Sequence, residues 1–259
     1  MKTFFVDIDG VIYKNGKVNK DVIDLINNSD NRLAFCTGRG YTRCLDIVGD
    51  FLKKDSILIV ENGSKIVDYT GNIIYSKNIS SKTKKVLKNI DYNQIESIIY
   101  NSNDLNNYIS FSKIPLKHIV KNYNKFLDFY DEMLHQHFTQ ITVKFENDIY
   151  KNYFVDYLNS KNINVKKSEY YIIINEKNVS KKSGINEYIK KYRIKVSDTI
   201  VIGNDYNDIE MFKMNCGYKI AVKDEYTPES LLELATDITD FNNLSKIVSI
   251  IIKKTPKSF

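Results

Sequence analysis

Short apolar segments alternate with amphipathic ones in the first and last thirds of the chain. Most of the apolar segments run directly into Asp, Glu, Thr or Gly, and they lie at residues 4–11, 33–36, 57–60, 199–202 and 216–221. Such segments are typical of strands buried in a parallel sheet. Between them, apolar residues recur at helical spacing, as they do after the potential helix cap Asn19. The alternation predicts an α/β fold with right-handed crossovers.

The middle of the chain has a different pattern. Polar and apolar residues alternate at residues 97–100, 108–111 and 140–145, which is typical of antiparallel strands with one face covered. Helical patterns lie at residues 83–90, 122–135 and 149–160. We therefore predict a Rossmann-like parallel-sheet core domain at residues 1–76 and 177–259, with an α+β cap domain inserted at residues 77–176.

Composition and length limit the class of protein. The chain has 259 residues, of which 42% are hydrophobic, enough for one large domain or two smaller ones. No segment approaches the roughly 20 apolar residues of a membrane span, and the N-terminus does not resemble a signal peptide. The three cysteines lack a metal-binding spacing. These features predict a cytoplasmic protein without a membrane partner.

The chain is basic, with a formal net charge of +6. The lysines are scattered rather than gathered in one segment, so most of them are expected to form a solvated surface. A positive surface also attracts anionic substrates such as phosphorylated molecules. We find no nucleic-acid-binding motif and expect no nucleic-acid partner. The pattern leaves both a monomer and a homodimer open.

The apolar segment at residues 4–11 contains two carboxylates, Asp7 and Asp9. Residues two apart lean to the same side of an extended chain, so both side chains can approach one volume at the end of a strand. In open α/β sheets, ligands bind at the carboxyl ends of the strands. Crowded carboxylates need a cation or a shared proton, and Mg²⁺ prefers oxygen ligands.

Two further segments place candidate polar groups after strands or at helix starts. Thr37 and Gly38 follow an apolar segment and precede a helical pattern, which suits phosphate binding but also an ordinary helix cap. Lys181 lies near a helix start, where the helix dipole disfavours a cation. Such a local violation is typical of functional positions, although a solvated lysine would look the same.

A loop rich in carboxylate and amide groups follows the apolar segment at residues 199–202. It runs Gly203-Asn204-Asp205-Tyr206-Asn207-Asp208. Carboxylate and amide oxygens gathered in one loop favour a bound cation.

Taken in order, these motifs resemble the four signatures of the haloacid dehalogenase-like hydrolase superfamily, and in detail its Cof-type sugar-phosphate phosphatases. The resemblance implies that Asp7 is the nucleophile and that Asp9 is the acid and base. It implies that Thr37 and Lys181 bind the transferred phosphoryl group. Substrate contacts are expected from the residues Gly38, Arg39, Asn62 and Asn207.

The resemblance also implies a Mg²⁺ cofactor bound by Asp7, Asp9, Asn204 and Asp208. The chain departs from the family at Asn204, where the signature has Asp. An amide oxygen can still bind Mg²⁺ but carries no charge, and the neighbouring Asp205 is an alternative ligand.

The implied function is hydrolysis of small phosphorylated metabolites, in particular sugar phosphates, through an aspartyl-phosphate intermediate. The resemblance implies that the inserted domain closes over the site. Two alternatives remain open: a phosphosugar-binding regulator with weak turnover, suggested by Asn204, and a phosphomutase or phosphotransferase that uses the same Asp7.

Overall fold

The computed structural model describes residues 1–105, 107–113, 123–125, 135–168 and 170–253. The chain divides into two compact units. The core unit comprises Met1–Arg39, Cys44–Tyr75 and Ser180–Phe259, and the inserted unit comprises Gly40–Arg43 and Ser76–Val179. Within the described ranges, no helix is long and apolar enough to cross a membrane.

The strands and helices are numbered in chain order. The strands are β1 Thr3–Val6, β2 Tyr13–Lys14, β3 Lys17–Val18, β4 Arg32–Cys36, β5 Ile57–Val60, β6 Lys65–Asp68, β7 Ile73–Ser76, β8 Ile95–Ser102, β9 Asn107–Ser112, β10 Tyr123–Lys125, β11 Phe138–Phe145, β12 Asn164–Lys167, β13 Tyr171–Asn175, β14 Thr199–Gly203, β15 Tyr218–Val222 and β16 Asp237–Thr239. The helices are α1 Lys20–Asn27, α2 Tyr41–Val48, α3 Ser81–Leu87, α4 Asp148–Ser160, α5 Lys181–Tyr192, α6 Ile209–Phe212, α7 Glu229–Leu232 and α8 Leu244–Lys253.

The core unit is built on an eight-stranded sheet in the order β16-β15-β14-β1-β4-β5-β6-β7. The five pairings from β16 to β5 are parallel, whereas β6 runs antiparallel to β5. Strands β1, β4, β5 and β14 are almost wholly buried, as expected for strands covered on both faces. The α/β fold predicted from the sequence is confirmed.

A buried apolar cluster holds helix α5 against this sheet. Ile185 and Tyr188 of the helix pack with Phe5 of β1 and Val201 of β14. The rings of Phe5 and Tyr188 meet edge to face at 6.0 Å between centroids, a favoured aromatic geometry. The first residue of α5, Lys181, is thereby carried by a helix that is packed on the two central strands.

The inserted unit has its own six-stranded sheet in the order β10-β9-β8-β11-β13-β12. Its central strands pair antiparallel, and their apolar positions alternate with polar ones. The apolar side chains form a separate core with Leu87 of α3 and with Phe154 and Leu158 of α4. The alternation in the sequence therefore marks the helix-covered face of this sheet.

Two local expectations hold only in part. The helix expected at residues 122–135 falls mostly outside the described residues; of the described part, His135 is helical, whereas Tyr123–Lys125 form the strand β10, paired with β9. Asn19 does occupy the N-cap position of α1, but its side chain makes no capping bond. Its Nδ2 atom instead donates a hydrogen bond to the carbonyl of Phe241 at 2.8 Å.

Candidate active site

The loops that follow β4, β1 and β14 lie side by side because these strands are neighbours in the sheet. Asp7 comes directly after β1, and its N–H donates to the carbonyl of Ile202 at 2.9 Å. Thr37 comes directly after β4, and its N–H donates to the carbonyl of Ile59 at 2.9 Å. Parallel strands end at a common edge, so the candidate residues are held on extensions of the sheet.

Lys181 connects two of these loops. It begins α5, where Ser180 and Ser183 form a reciprocal capping box that fixes the helix start. The side chain of Lys181 is fully buried, and its Nζ lies 2.6 Å from Asp7 Oδ1 and 2.6 Å from Asp208 Oδ1. One ammonium group thus holds two buried carboxylates, one at the candidate nucleophile and one in the loop after β14.

This arrangement shifts the pKa of both partners. Burial, followed by the charge of Asp208, raises the pKa of Asp7 well above its ordinary value, although Lys181 opposes them. Burial by itself lowers the pKa of Lys181, but the carboxylates of Asp208 and Asp7 outweigh it, and the pKa is raised. Lys181 therefore stays charged, and it is the partner that permits a buried anion at Asp7.

Both carboxylate oxygens of Asp208 accept hydrogen bonds from protein donors. Its Oδ1 accepts from Lys181, while its Oδ2 accepts from the N–H groups of Asn204 at 2.9 Å and Asp205 at 3.1 Å. Because both oxygens already have partners, Asp208 fits poorly as the direct metal ligand suggested by the resemblance. Its contacts indicate that it fixes the loop after β14 and orients Lys181.

Asp9 and Arg39 form a two-point ion pair. Arg39 donates from Nε to Asp9 Oδ2 at 2.8 Å and from Nη2 to Asp9 Oδ1 at 2.6 Å. The guanidinium also lies 5.8 Å from the ring centroid of Tyr13. The Asp9 side chain is 50% exposed, so it remains open to a ligand from solvent. The sequence suggested Arg39 as a substrate contact, and it did not indicate this pair.

The expected phosphate-binding residues lie together. Asn62 has a left-handed backbone with φ of 57°, and its N–H donates to the carbonyl of Thr37 at 2.9 Å. Asn207 Nδ2 donates to Asn62 Oδ1 at 3.3 Å. A Cβ atom at Gly38 would come within 3.3 Å of that same oxygen. The loop after β4 is therefore in close contact with Asn62, and Asn62 connects it to Asn207.

A second buried ion pair lies beneath this group. Lys65 Nζ lies 3.1 Å from Glu61 Oε1, and both side chains are fully or almost fully buried. Glu61 also has a left-handed backbone, with φ of 56°, and its N–H donates to the carbonyl of Arg39 at 2.9 Å. The four-residue spacing of Glu61 and Lys65 was the only signal of this pair in the sequence.

The oxygen atoms around Asn204 can be compared with the ligands that a divalent ion prefers. The Oδ1 atom of Asn204 is buried and has no hydrogen-bond partner among the described residues. Asp205 is exposed, and its Oδ1 accepts from the N–H of Tyr206 at 2.6 Å. Gly10, with φ of 78°, lets the two loops touch, since a Cβ there would lie 2.1 Å from Asn204 Nδ2.

An oxygen-preferring ion fits this set. Among the described residues, no three His, Cys, Asp or Glu side chains gather as a metal site. The buried, unpartnered oxygen of Asn204 lies in the loop that reaches Gly10, three residues after Asp7, and it could bind such an ion, since amide and carboxylate oxygens both bind hard cations.

Comparison with known proteins identifies the class. The family model described as haloacid dehalogenase-like hydrolase matches residues 4–251. A protein of Mycoplasma capricolum is 29% identical over 239 residues, covering 82% of this chain and 87% of that protein.

Solved structures share the fold, and two of them serve as examples. TM0651 from Thermotoga maritima has a TM-score of 0.80 at 18% identity and covers 99% of this chain and 98% of its own. BT4131, described as a subclass IIB sugar phosphatase, has a TM-score of 0.75 at 17% identity and covers 97% of this chain and 99% of its own.

The fold and the site thus define a hydrolase of the phosphatase and phosphotransferase type. The chain belongs to the haloacid dehalogenase-like hydrolase family, as its motifs predicted.

Proposed function

We propose that this protein is a Mg²⁺-dependent phosphomonoester hydrolase whose substrates are small sugar phosphates. The observation that carries the proposal is the contact of Lys181 with Asp7 and Asp208, at the edge where three neighbouring strands end. A buried cation beside a buried carboxylate suits attack on a phosphate ester, because it balances the charge of nucleophile and substrate. The sugar class rests on likeness to the Cof-type group, and BT4131 bears the description sugar phosphatase.

In the first half-reaction, an oxygen of Asp7 attacks phosphorus and the bond to the leaving oxygen breaks. Asp9 gives its proton to that oxygen, so that an alcohol leaves. The product on the protein is an aspartyl-phosphate at Asp7, which divides one difficult step into two. Lys181 balances negative charge next to Asp7, and Thr37 and the Gly38 amide bind phosphoryl oxygens.

In the second half-reaction, Asp9 takes a proton from water and the resulting hydroxide attacks phosphorus. The bond to Asp7 breaks, inorganic phosphate leaves and the carboxylate is restored. A bound Mg²⁺ would offset charge on the phosphoryl oxygens. Asp7, the backbone carbonyl of Asp9 and Asn204 Oδ1 are the groups that would hold it.

Phosphate release from a panel of sugar phosphates and from 4-nitrophenyl phosphate, with and without Mg²⁺, tests the proposal. We expect Mg²⁺-dependent turnover that Asp7→Asn abolishes, because an amide cannot act as the nucleophile. Asp24→Asn, on helix α1, is the matched control and should leave turnover unchanged.

Other outcomes of that assay would identify other functions. Tight binding of a sugar phosphate without release would favour the regulator, for which the uncharged Asn204 is the supporting feature. Conversion of the sugar phosphate into an isomer would favour a mutase. Either result would contradict the hydrolase.

A further inference from the structure

The charges around Asn204 are almost balanced before any ligand binds. Asp7 and Asp208 share the single cation Lys181, which leaves one net negative charge. Asp9 is paired with Arg39 through two hydrogen bonds and adds none. Where the family signature has a further carboxylate, this chain has the neutral Asn204.

The other carboxylates of the same loop do not replace the missing charge. Asp205 is exposed, so water screens its charge, and its Oδ1 accepts from the N–H of Tyr206. The oxygens of Asp208 accept from Lys181 and from backbone N–H groups. A divalent ion would meet one carboxylate, Asp7, which already binds Lys181. Asn204 Oδ1, buried and without a partner among the described residues, adds a neutral oxygen.

Mg²⁺ gives up its water reluctantly, and proteins usually bind it through one or two carboxylates together with substrate phosphates. In this site a divalent ion alone would leave an excess of positive charge. A phosphate dianion alone would enter a site that is already negative. Each ligand therefore supplies the charge that the other one lacks.

We propose that Asn204 makes the binding of the divalent metal ion and of the phosphate group interdependent, so that each binds weakly alone and tightly with the other. This inference rests on the proposed function, since it concerns the same site. It goes further by assigning a regulatory consequence to one residue. Because such coupling is reciprocal, phosphate must strengthen metal binding by the same factor as metal strengthens phosphate binding.

Titration with Mn²⁺, followed by its electron paramagnetic resonance signal, measures metal binding without any turnover. Inorganic phosphate is the second ligand. In the unaltered protein we expect phosphate to tighten Mn²⁺ binding by about tenfold or more, within the usual range of coupling between sites. Calorimetric titration of phosphate with and without Mn²⁺ should give the same factor.

Asn204→Asp is the decisive variant. It places a carboxylate where the neutral oxygen lies, so Mn²⁺ alone should bind about tenfold more tightly and the coupling to phosphate should fall to about threefold or less. Asn204→Asp combined with Asp205→Asn keeps the loop charge constant and should behave like Asn204→Asp. Asp205→Asn alone should bind Mn²⁺ as the unaltered protein does.

Equal Mn²⁺ affinity with and without phosphate in the unaltered protein would overturn the inference. So would Asn204→Asp with unchanged metal affinity in a variant whose circular dichroism shows native folding. If the double variant binds Mn²⁺ no more tightly than the unaltered protein does, the tighter binding in Asn204→Asp comes from the net charge of the loop. The assignment to Asn204 would then be wrong. Coupled binding in a protein that releases no phosphate from the panel would overturn the hydrolase proposal and leave the coupling intact.

Discussion

Lys181 is the side chain on which the buried charges of the site depend. Lys181→Met would leave Asp7 and Asp208 adjacent, buried and without their shared cation. Removing one partner of a buried charge pair costs about 3–5 kcal/mol, so we expect a loss of this size in the free energy of unfolding. Lys182→Met, one residue further along and only partly buried, should change it by about 0.5 kcal/mol or less.

The same variant should change how stability depends on pH. Asp7 has a raised pKa in the folded protein, so its contribution is fully present below the unfolded pKa and is lost as the pH rises through the folded value. Lys181 opposes that shift, and without it the pKa of Asp7 rises further. Urea unfolding between pH 5 and 8 should show a steeper loss of stability in Lys181→Met. A parallel pH dependence in both proteins would contradict this.

Arg39 is expected to act through Asp9 rather than on the substrate. A planar guanidinium holds both oxygens of Asp9, and lysine cannot reproduce that two-point contact. Arg39→Lys should lower kcat for a sugar phosphate by about tenfold, part of the usual effect of a positioned acid. The first-turnover release of 4-nitrophenol from 4-nitrophenyl phosphate should barely change, because that leaving group needs no proton, whereas later turnovers still need Asp9 to activate water. A rise in KM for both substrates would instead indicate that Arg39 contacts the phosphate.

At the scale of elements, the turn after β5 decides how closely α5 can approach the site. Gly63 has φ of 94°, and a Cβ there would lie 2.2 Å from the carbonyl oxygen of Ser180, at the N-cap of α5. Gly16 has a similar φ of 77°, but a Cβ there would meet nothing within 4 Å. A comparison of substitutions at the two glycines therefore separates the cost of backbone strain from the cost of steric contact.

Gly63→Ala should lower stability by more than Gly16→Ala and should also reduce kcat, because the start of α5 carries Lys181. Gly16→Ala should cost about 1 kcal/mol, the price of a left-handed backbone for a residue with a side chain. Thermal unfolding and phosphate release on both variants test this. Equal losses would mean that the approach of the turn to α5 is not tight.

The elements also show how far the sequence can be interpreted. Apolar segments that run into Asp, Glu, Thr or Gly located β1, β4, β5 and β14, because these strands are buried on both faces. The residues 123–125 were expected in a helix, but pairing with β9 makes them a strand, and a distant partner leaves no local signal.

The site residues divide in the same way. Order along the chain pointed to Asp7, Thr37 and Lys181, since each follows a strand or begins a helix. The pair Asp9–Arg39 and the pair Glu61–Lys65 could not be predicted, because they depend on which way long side chains turn after the backbone is placed.

At the scale of the whole molecule, each unit has a separate apolar core. Phe154→Ala in the inserted unit should cost about 3–5 kcal/mol, as is usual for deleting a buried ring. Tyr153→Ala, next to it but 64% exposed, should cost far less. Hydrogen exchange should show lost protection in β13 and unchanged protection in β14. Equal loss in both strands would indicate a single cooperative unit.

The central position of β1 has a consequence for synthesis of the chain. Its two neighbours are β4, which follows soon after it, and β14, which begins only at Thr199. While the chain emerges from the ribosome, one edge of β1 stays open until the whole inserted unit and helix α5 have been made. An unpaired strand edge can form hydrogen bonds with other chains and so promote aggregation. A translation product that stops before residue 203 therefore carries Asp7 on an incomplete sheet and is expected to be inactive.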